Sequence, residues 1–155
     1  MFKNNRSRGF TLIELLVVIA IIGILSAIVL ASLNTARSKG NNAAIQSDLS
    51  TIQTEAEIYY GGTGGNSYGP AFTLATCPIT GTSMFYADGT IAKSIAQATT
   101  ANGSNAVQCY SSAAAYAVES PLATPIGANG YWCIDSTGTA KGESAALAST
   151  ATSCP

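Results

Sequence analysis

The longest signal in the chain is a run of apolar residues near its start. Residues 10–36, FTLIELLVVIAIIGILSAIVLASLNTA, contain one charge, Glu14, and the 22 residues from Leu15 to Ala36 contain none. As a helix those residues rise by about 33 Å, enough to cross the hydrocarbon core of a bilayer. Proline is absent from the run and Gly23 is its one helix-weakening residue. A different pattern follows. Ile45, Leu49, Ile52, Ala56 and Tyr59 recur at alternating spacings of four and three, which sets them on one stripe of a continuing helix. Gln46, Gln53 and Glu57 are expected to face away from it. The glycine-rich stretch 61–65, GGTGG, ends the pattern, because glycine is unfavourable inside a helix and favoured just past its end. One helix is therefore expected over about 10–60, apolar all round in its first half and amphipathic in its second, with 61–65 as a hinge.

The partner for the amphipathic half is expected within 66–155. Short β-type runs at Ala106–Tyr110, Ala114–Ser120 and Tyr131–Ser136 are separated by turn signals, among them Gly-Ala-Asn-Gly at 127–130. Tyr116 and Val118 should share one face. Tyr131, Cys133 and Asp135 should alternate with Trp132 and Ile134. Thr137-Gly138-Thr139 should turn into a short edge strand near Ala140–Gly142, and Asp88–Gln97 reads as a short helix with Ile91 and Ile95 four apart. The fold class is α+β: one long helix packed on a small antiparallel sheet.

Composition sharpens this picture. Charged residues make up 10% of the chain, against about 25% in an average soluble domain. That poverty suits either a membrane segment or a surface largely covered by neighbours. Three of the seven basic residues, Lys3, Arg6 and Arg8, precede the apolar run, and two, Arg37 and Lys39, follow it. With the amino terminus counted, the balance points the N-terminus to the cytoplasm. Without residues 1–9 the chain has four basic and eight acidic side chains, a balance that gives no general attraction for nucleic acid.

Four cysteines, Cys77, Cys109, Cys133 and Cys154, all lie in the second half, and no Cys-x-x-Cys occurs. The spacing argues against a zinc site and, behind an export segment, reads as two disulfides formed in an oxidising compartment. Three pairings are open. Cys77–Cys109 with Cys133–Cys154 is favoured because each joins near neighbours in the chain. The chain contains no histidine, which removes the usual general base and most metal sites, so neither catalytic residues nor cofactors are expected. Glu119 and Asp135 sit on neighbouring predicted strands, but a hairpin turning near 124–127 would place them several residues out of register, as solvated surface groups.

Arg8-Gly9-Phe10-Thr11-Leu12-Ile13-Glu14-Leu15-Leu16, continued by Val17–Leu25, resembles the N-terminal signature of type IV pilins and pseudopilins. The resemblance implies a leader, 1–9, cleaved between Gly9 and Phe10 by a prepilin peptidase, and N-methylation of Phe10. It further implies a single-pass subunit of the inner membrane that polymerises with copies of itself, through an assembly platform and its ATPase, into an extracellular filament. Glu14 would serve assembly by meeting the new amine of Phe10, and Gly23 would let the helix loosen. Many family members have a proline where this chain has Ala31, so the helix is expected to stay more continuous here. A pseudopilin or minor pilin of a type II secretion-like system is the alternative. A secreted module cleaved before Ser32 is a further one, disfavoured by the length of the apolar region and by Glu14.

Overall fold

The computed structural model describes residues 9–71, 76–78, 80–148 and 151–155. Most of the leader, with Lys3, Arg6 and Arg8, lies outside the described residues. Helix α1 runs Leu12–Gly61, and the elements after it are α2 (Met84–Ala87), α3 (Gly89–Ala101), β1 (Gln108–Ser111), β2 (Tyr116–Ile126), β3 (Asn129–Asp135) and β4 (Ala140–Glu143). The chain divides into two units, up to Arg37 and from Ser38 onward. In the first unit the described side chains of the apolar helix are all exposed. It is the one helix among the described residues long and apolar enough to cross a membrane.

The second unit has a core built on the stripe read from the sequence. Ile45, Leu49, Ile52 and Ala56 are completely buried, and Tyr59 is half-buried beside them. Asn42, one turn earlier, is buried as well. The end of α1 is wrapped rather than open. Gly64 N–H donates to Tyr59 O at 2.7 Å and Asn66 N–H to Tyr60 O at 2.8 Å. Gly64 is obligatory there, since a Cβ would stand 2.3 Å from Ser67 O and 2.7 Å from the Tyr59 ring.

The sheet is an antiparallel meander in the order β1-β2-β3-β4. Its alternation gives two faces. Cys109, Tyr116, Val118, Ile134 and Trp132 join the α1 residues in one cluster, while Tyr110, Ala117 and Cys133 form a second with Leu147, Ala151 and Cys154 of the C-terminal segment. The core helix thus covers one face of the sheet and the tail covers the other.

Several expectations are corrected. Strand β2 does not stop at Ser120. It passes Pro121 and continues to Ile126, with a register irregularity between those two residues. A proline has no N–H to give the ladder, which is why the sequence suggested an end there. Beyond it Asn42 takes over: its Nδ2 donates to Thr124 O at 2.7 Å and its Oδ1 accepts from Thr124 N–H at 3.3 Å. Gln53 does not face away. It is half-buried, and its Nε2 reaches Asp135 O and Thr139 O at 3.1 Å each. Helix α3 is longer than expected, capped by Asp88, whose Oδ1 accepts from Thr90 and Ile91 N–H at 2.8 and 2.9 Å.

Candidate assembly segment and the tail-bearing carboxylates

Glu14 is the one charge within residues 10–36, and local chemistry places it. Thr11 precedes the first helical residue, and three positions on stands a glutamate, the spacing of a capping box. Glu14 Oε2 accepts from Thr11 N–H at 2.9 Å and from Thr11 Oγ1 at 2.8 Å, while Glu14 N–H donates to Thr11 Oγ1 at 3.2 Å. The carboxylate therefore closes the helix start and meets the positive end of the helix dipole. Thr11 was missed as its partner, although Thr-x-x-Glu was legible in the sequence. Gly9 and Phe10 precede the helix, Phe10 is 83% exposed, and a Cβ on Gly9 would meet nothing within 4 Å. Helix α1 passes through Gly23 and Ala31 without interruption.

The cysteines join as Cys77–Cys109 and Cys133–Cys154, with Cα separations of 4.6 and 5.9 Å. The first bridge ties the segment before α2 to β1, where Cys77 N–H also donates to Val107 O at 3.0 Å. The second ties the tail to β3.

Glu119 and Asp135 overturn the expectation of solvated surface. Glu119 pairs with Cys133 and Asp135 with Ala117, so the two acids lie two positions apart on the tail-bearing face. Glu119 is completely buried and Asp135 is 1% exposed. Each receives a main-chain N–H of the tail: Leu147 to Glu119 Oε2 at 2.9 Å, and Cys154 to Asp135 Oδ2 at 2.8 Å. Their chemistry then diverges. Burial raises Glu119 to about 7, opposed by the Leu147 hydrogen bond and assisted by the charge of Glu143. Its Oε1 has no hydrogen-bond partner among the described residues. Burial also pushes Asp135 up, but hydrogen bonds from the Thr137 hydroxyl and from the N–H groups of Cys154, Thr137 and Thr139 outweigh it, holding the carboxyl below its ordinary range. Nothing local in the chain signals this burial, because the segment that covers the acids has no strong periodic pattern.

Among the described residues no group of three or more His, Cys, Asp or Glu could hold a metal ion. An apolar groove of about 480 Å³ lies between α3 and the first disulfide, lined by Cys77, Phe85, Tyr86, Ile95 and Val107. Among the described residues it brings together no titratable pair suited to acid–base chemistry.

Comparison with known proteins places the N-terminal segment. Residues 4–30 match the family described as the prokaryotic N-terminal methylation motif. The chain is 42% identical over 55 residues to the type IV wide pilus major component PilA4 of Thermus thermophilus, covering 36% of this chain and 42% of that one. It is 43% identical over 61 residues to the type IV major alpha-pilin of Moraxella bovis, covering 38% of each. It is 35% identical over 56 residues to the type II secretion system core protein G of Dickeya chrysanthemi, covering 36% of this chain and 37% of that one. The chain thus spans about two fifths of the length of these relatives. No solved structure gives a significant match. Over this N-terminal segment the chain is similar to type IV pilins and pseudopilins.

Proposed function

We propose that the chain is a non-enzymatic subunit held in the inner membrane by residues 10–36, freed of its leader between Gly9 and Phe10, methylated on Phe10, and polymerised through that helix into an extracytoplasmic filament. The observation that carries the reading is the match of residues 4–30 to the methylation motif, joined to a helix whose residues 15–36 are uncharged and which opens on a capped acid. In the filament Glu14 would exchange its bond to Thr11 N–H for the freed amine of Phe10, in the same subunit or a neighbour. The partners are copies of the chain, a prepilin peptidase, the inner membrane, and an assembly platform with its ATPase. No direct contact with nucleic acid is proposed.

A pseudopilin of a type II secretion-like system is the better supported form of this reading, since proteins named as secretion system core protein G recur among the relatives. A surface pilus subunit is the second form, supported by the major pilins. Mass spectrometry of the mature protein tests the common part: the N-terminus should be methylated Phe10, and Gly9→Ser should leave the leader attached. An N-terminus at Ser32 would refute it. Electron microscopy separates the two forms, with short periplasmic fibres expected for a pseudopilin and long surface fibres for a pilus.

A further inference from the structure

The tip of the β2–β3 hairpin has the wrong chemistry for a solvent-facing turn. Pro125, Ile126, Gly127 and Ala128 are four consecutive exposed residues, none with a polar side chain, and Ile126 keeps 48% of its surface. Turns facing water usually draw on Asn, Asp and Ser as well as Gly and Pro. Here Gly127, at φ 63°, supplies the turn, and the first polar side chain comes at Asn129.

Two anchors fix where this tip lies in its unit. Ala117 pairs with Asp135, whose carbonyl receives Gln53, so the start of β2 is level with Gln53 on α1. Thr124 is held through both its main-chain groups by Asn42. Strand β2 therefore runs antiparallel to the core helix. The two further residues to Ile126 add about 7 Å of strand, the rise of roughly four helical residues. That brings Ile126 level with Ser38, at the end of the unit where the chain enters from the apolar segment.

The same end is cationic. Lys39, one residue past Ser38, is exposed there. From residue 40 onward the chain has two lysines, Lys93 and Lys141, against seven acids. An apolar tip beside a lysine, in a unit whose chain is preceded by the uncharged run 15–36, matches the boundary layer of a bilayer, where hydrocarbon meets phosphate.

We propose that Pro125–Ala128, with Lys39, forms a lipid-surface contact: in the unassembled subunit the hairpin tip enters the interfacial layer and the lysine meets phosphate headgroups. The inference rests on residues 10–36 being membrane-held. A second copy of the chain is the less favoured occupant, since an acidic surface would attract the lysine but offers the apolar tip nothing.

The full chain, reconstituted in vesicles of phosphatidylglycerol and phosphatidylcholine brominated high on the acyl chains, tests it. A single fluorophore is placed by Ala128→Cys, Lys93→Cys or Ala27→Cys; the native cysteines are all bridged. The labels at 128 and 27 should lose emission while that at 93 keeps it. Adding Ile126→Asp should restore emission at 128 alone, and replacing phosphatidylglycerol by phosphatidylcholine should weaken the quenching there. Quenching at 27 without quenching at 128 overturns the tip contact and leaves the membrane reading standing. No quenching at 27 overturns both. Loss of emission at 128 that follows protein density and ignores bromination assigns the tip to a second copy, and overturns the lipid contact.

Discussion

Replacing Glu119 by Gln should abolish the loss of stability with rising pH that this buried acid causes. Glu119 is completely buried, with Oε2 on Leu147 N–H and Oε1 without a partner among the described residues. A carboxyl raised from 4.5 to about 7 by burial prefers its neutral form by roughly 3 kcal/mol. The sign follows from linkage: the folded group holds its proton more tightly than the unfolded one. Its stabilisation is therefore complete below about pH 4.5 and is lost as pH rises through about 7. Asp135 has the opposite sign, with its folded value lowered, so its contribution is present above 3.8 and fails only in stronger acid. The two windows do not overlap. Glutamine keeps an oxygen for Leu147 and never ionises, but points an NH₂ group into the space of the unpaired Oε1. It should weaken the fold by about 1 kcal/mol near pH 5. It should strengthen it by about 2 kcal/mol near pH 9, where the wild-type acid is charged and buried. Denaturant titrations followed by Trp132 emission would read both arms. A wild-type stability that rises between those two pH values, or a variant with the same slope as wild type, would refute the reasoning.

Two further substitutions separate roles that the structure superimposes. Glu14→Gln retains a capping acceptor for Thr11 and removes the charge, so it should preserve helix content while lowering filament yield; normal fibres at normal subunit levels would show that the cap, not the charge, matters. Asn42→Ala strips Thr124 of both partners and should cost about 1–3 kcal/mol, with new protease cleavage in 121–130 as the local readout.

The helix, its stripe and the sheet were legible because each rests on a period. Ile45, Leu49, Ile52 and Ala56 repeat at helical spacing, and Tyr116 and Val118 alternate as strand residues do. What failed was polar chemistry acting at a distance. Asn42, Gln53, Glu119 and Asp135 resemble surface residues in any local window, yet each contacts backbone far away in the chain: Thr124, Asp135 and Thr139, Leu147, and Cys154 respectively. Their burial depends on which segment returns to cover them. Pro121 misled for a related reason, because the strand continues past it where a side chain from α1 bonds the backbone at Thr124. In the N-terminal segment Glu14 is conspicuous as a lone acid, whereas Thr11 is marked only by the three-residue spacing of a cap.

The buried acids also explain how so apolar-poor a tail stays ordered. Leu147 is the one buried large apolar side chain described after Glu143, and burying a leucine stabilises by about 1.5–3 kcal/mol. Fixing the backbone of each residue opposes that by about 1–2 kcal/mol. Hydrophobic burial alone cannot hold the segment. The Cys133–Cys154 bridge, spanning 21 residues, restricts the unfolded chain by about 3 kcal/mol. Two carboxylates then accept main-chain N–H groups at Leu147 and Cys154, which would otherwise be shielded from water without a partner. Hydrogen bonds to a charged acceptor contribute more than neutral ones, about 1.5–3 kcal/mol each. For Asp135, ionised across the working pH range, the full charge-assisted bond is available. For Glu119 ionisation strengthens the bond to Leu147 and at the same time charges a site that lacks a second donor for Oε1. The bridge and the Asp135–Cys154 bond are therefore what keep the tail in place when Glu119 is charged.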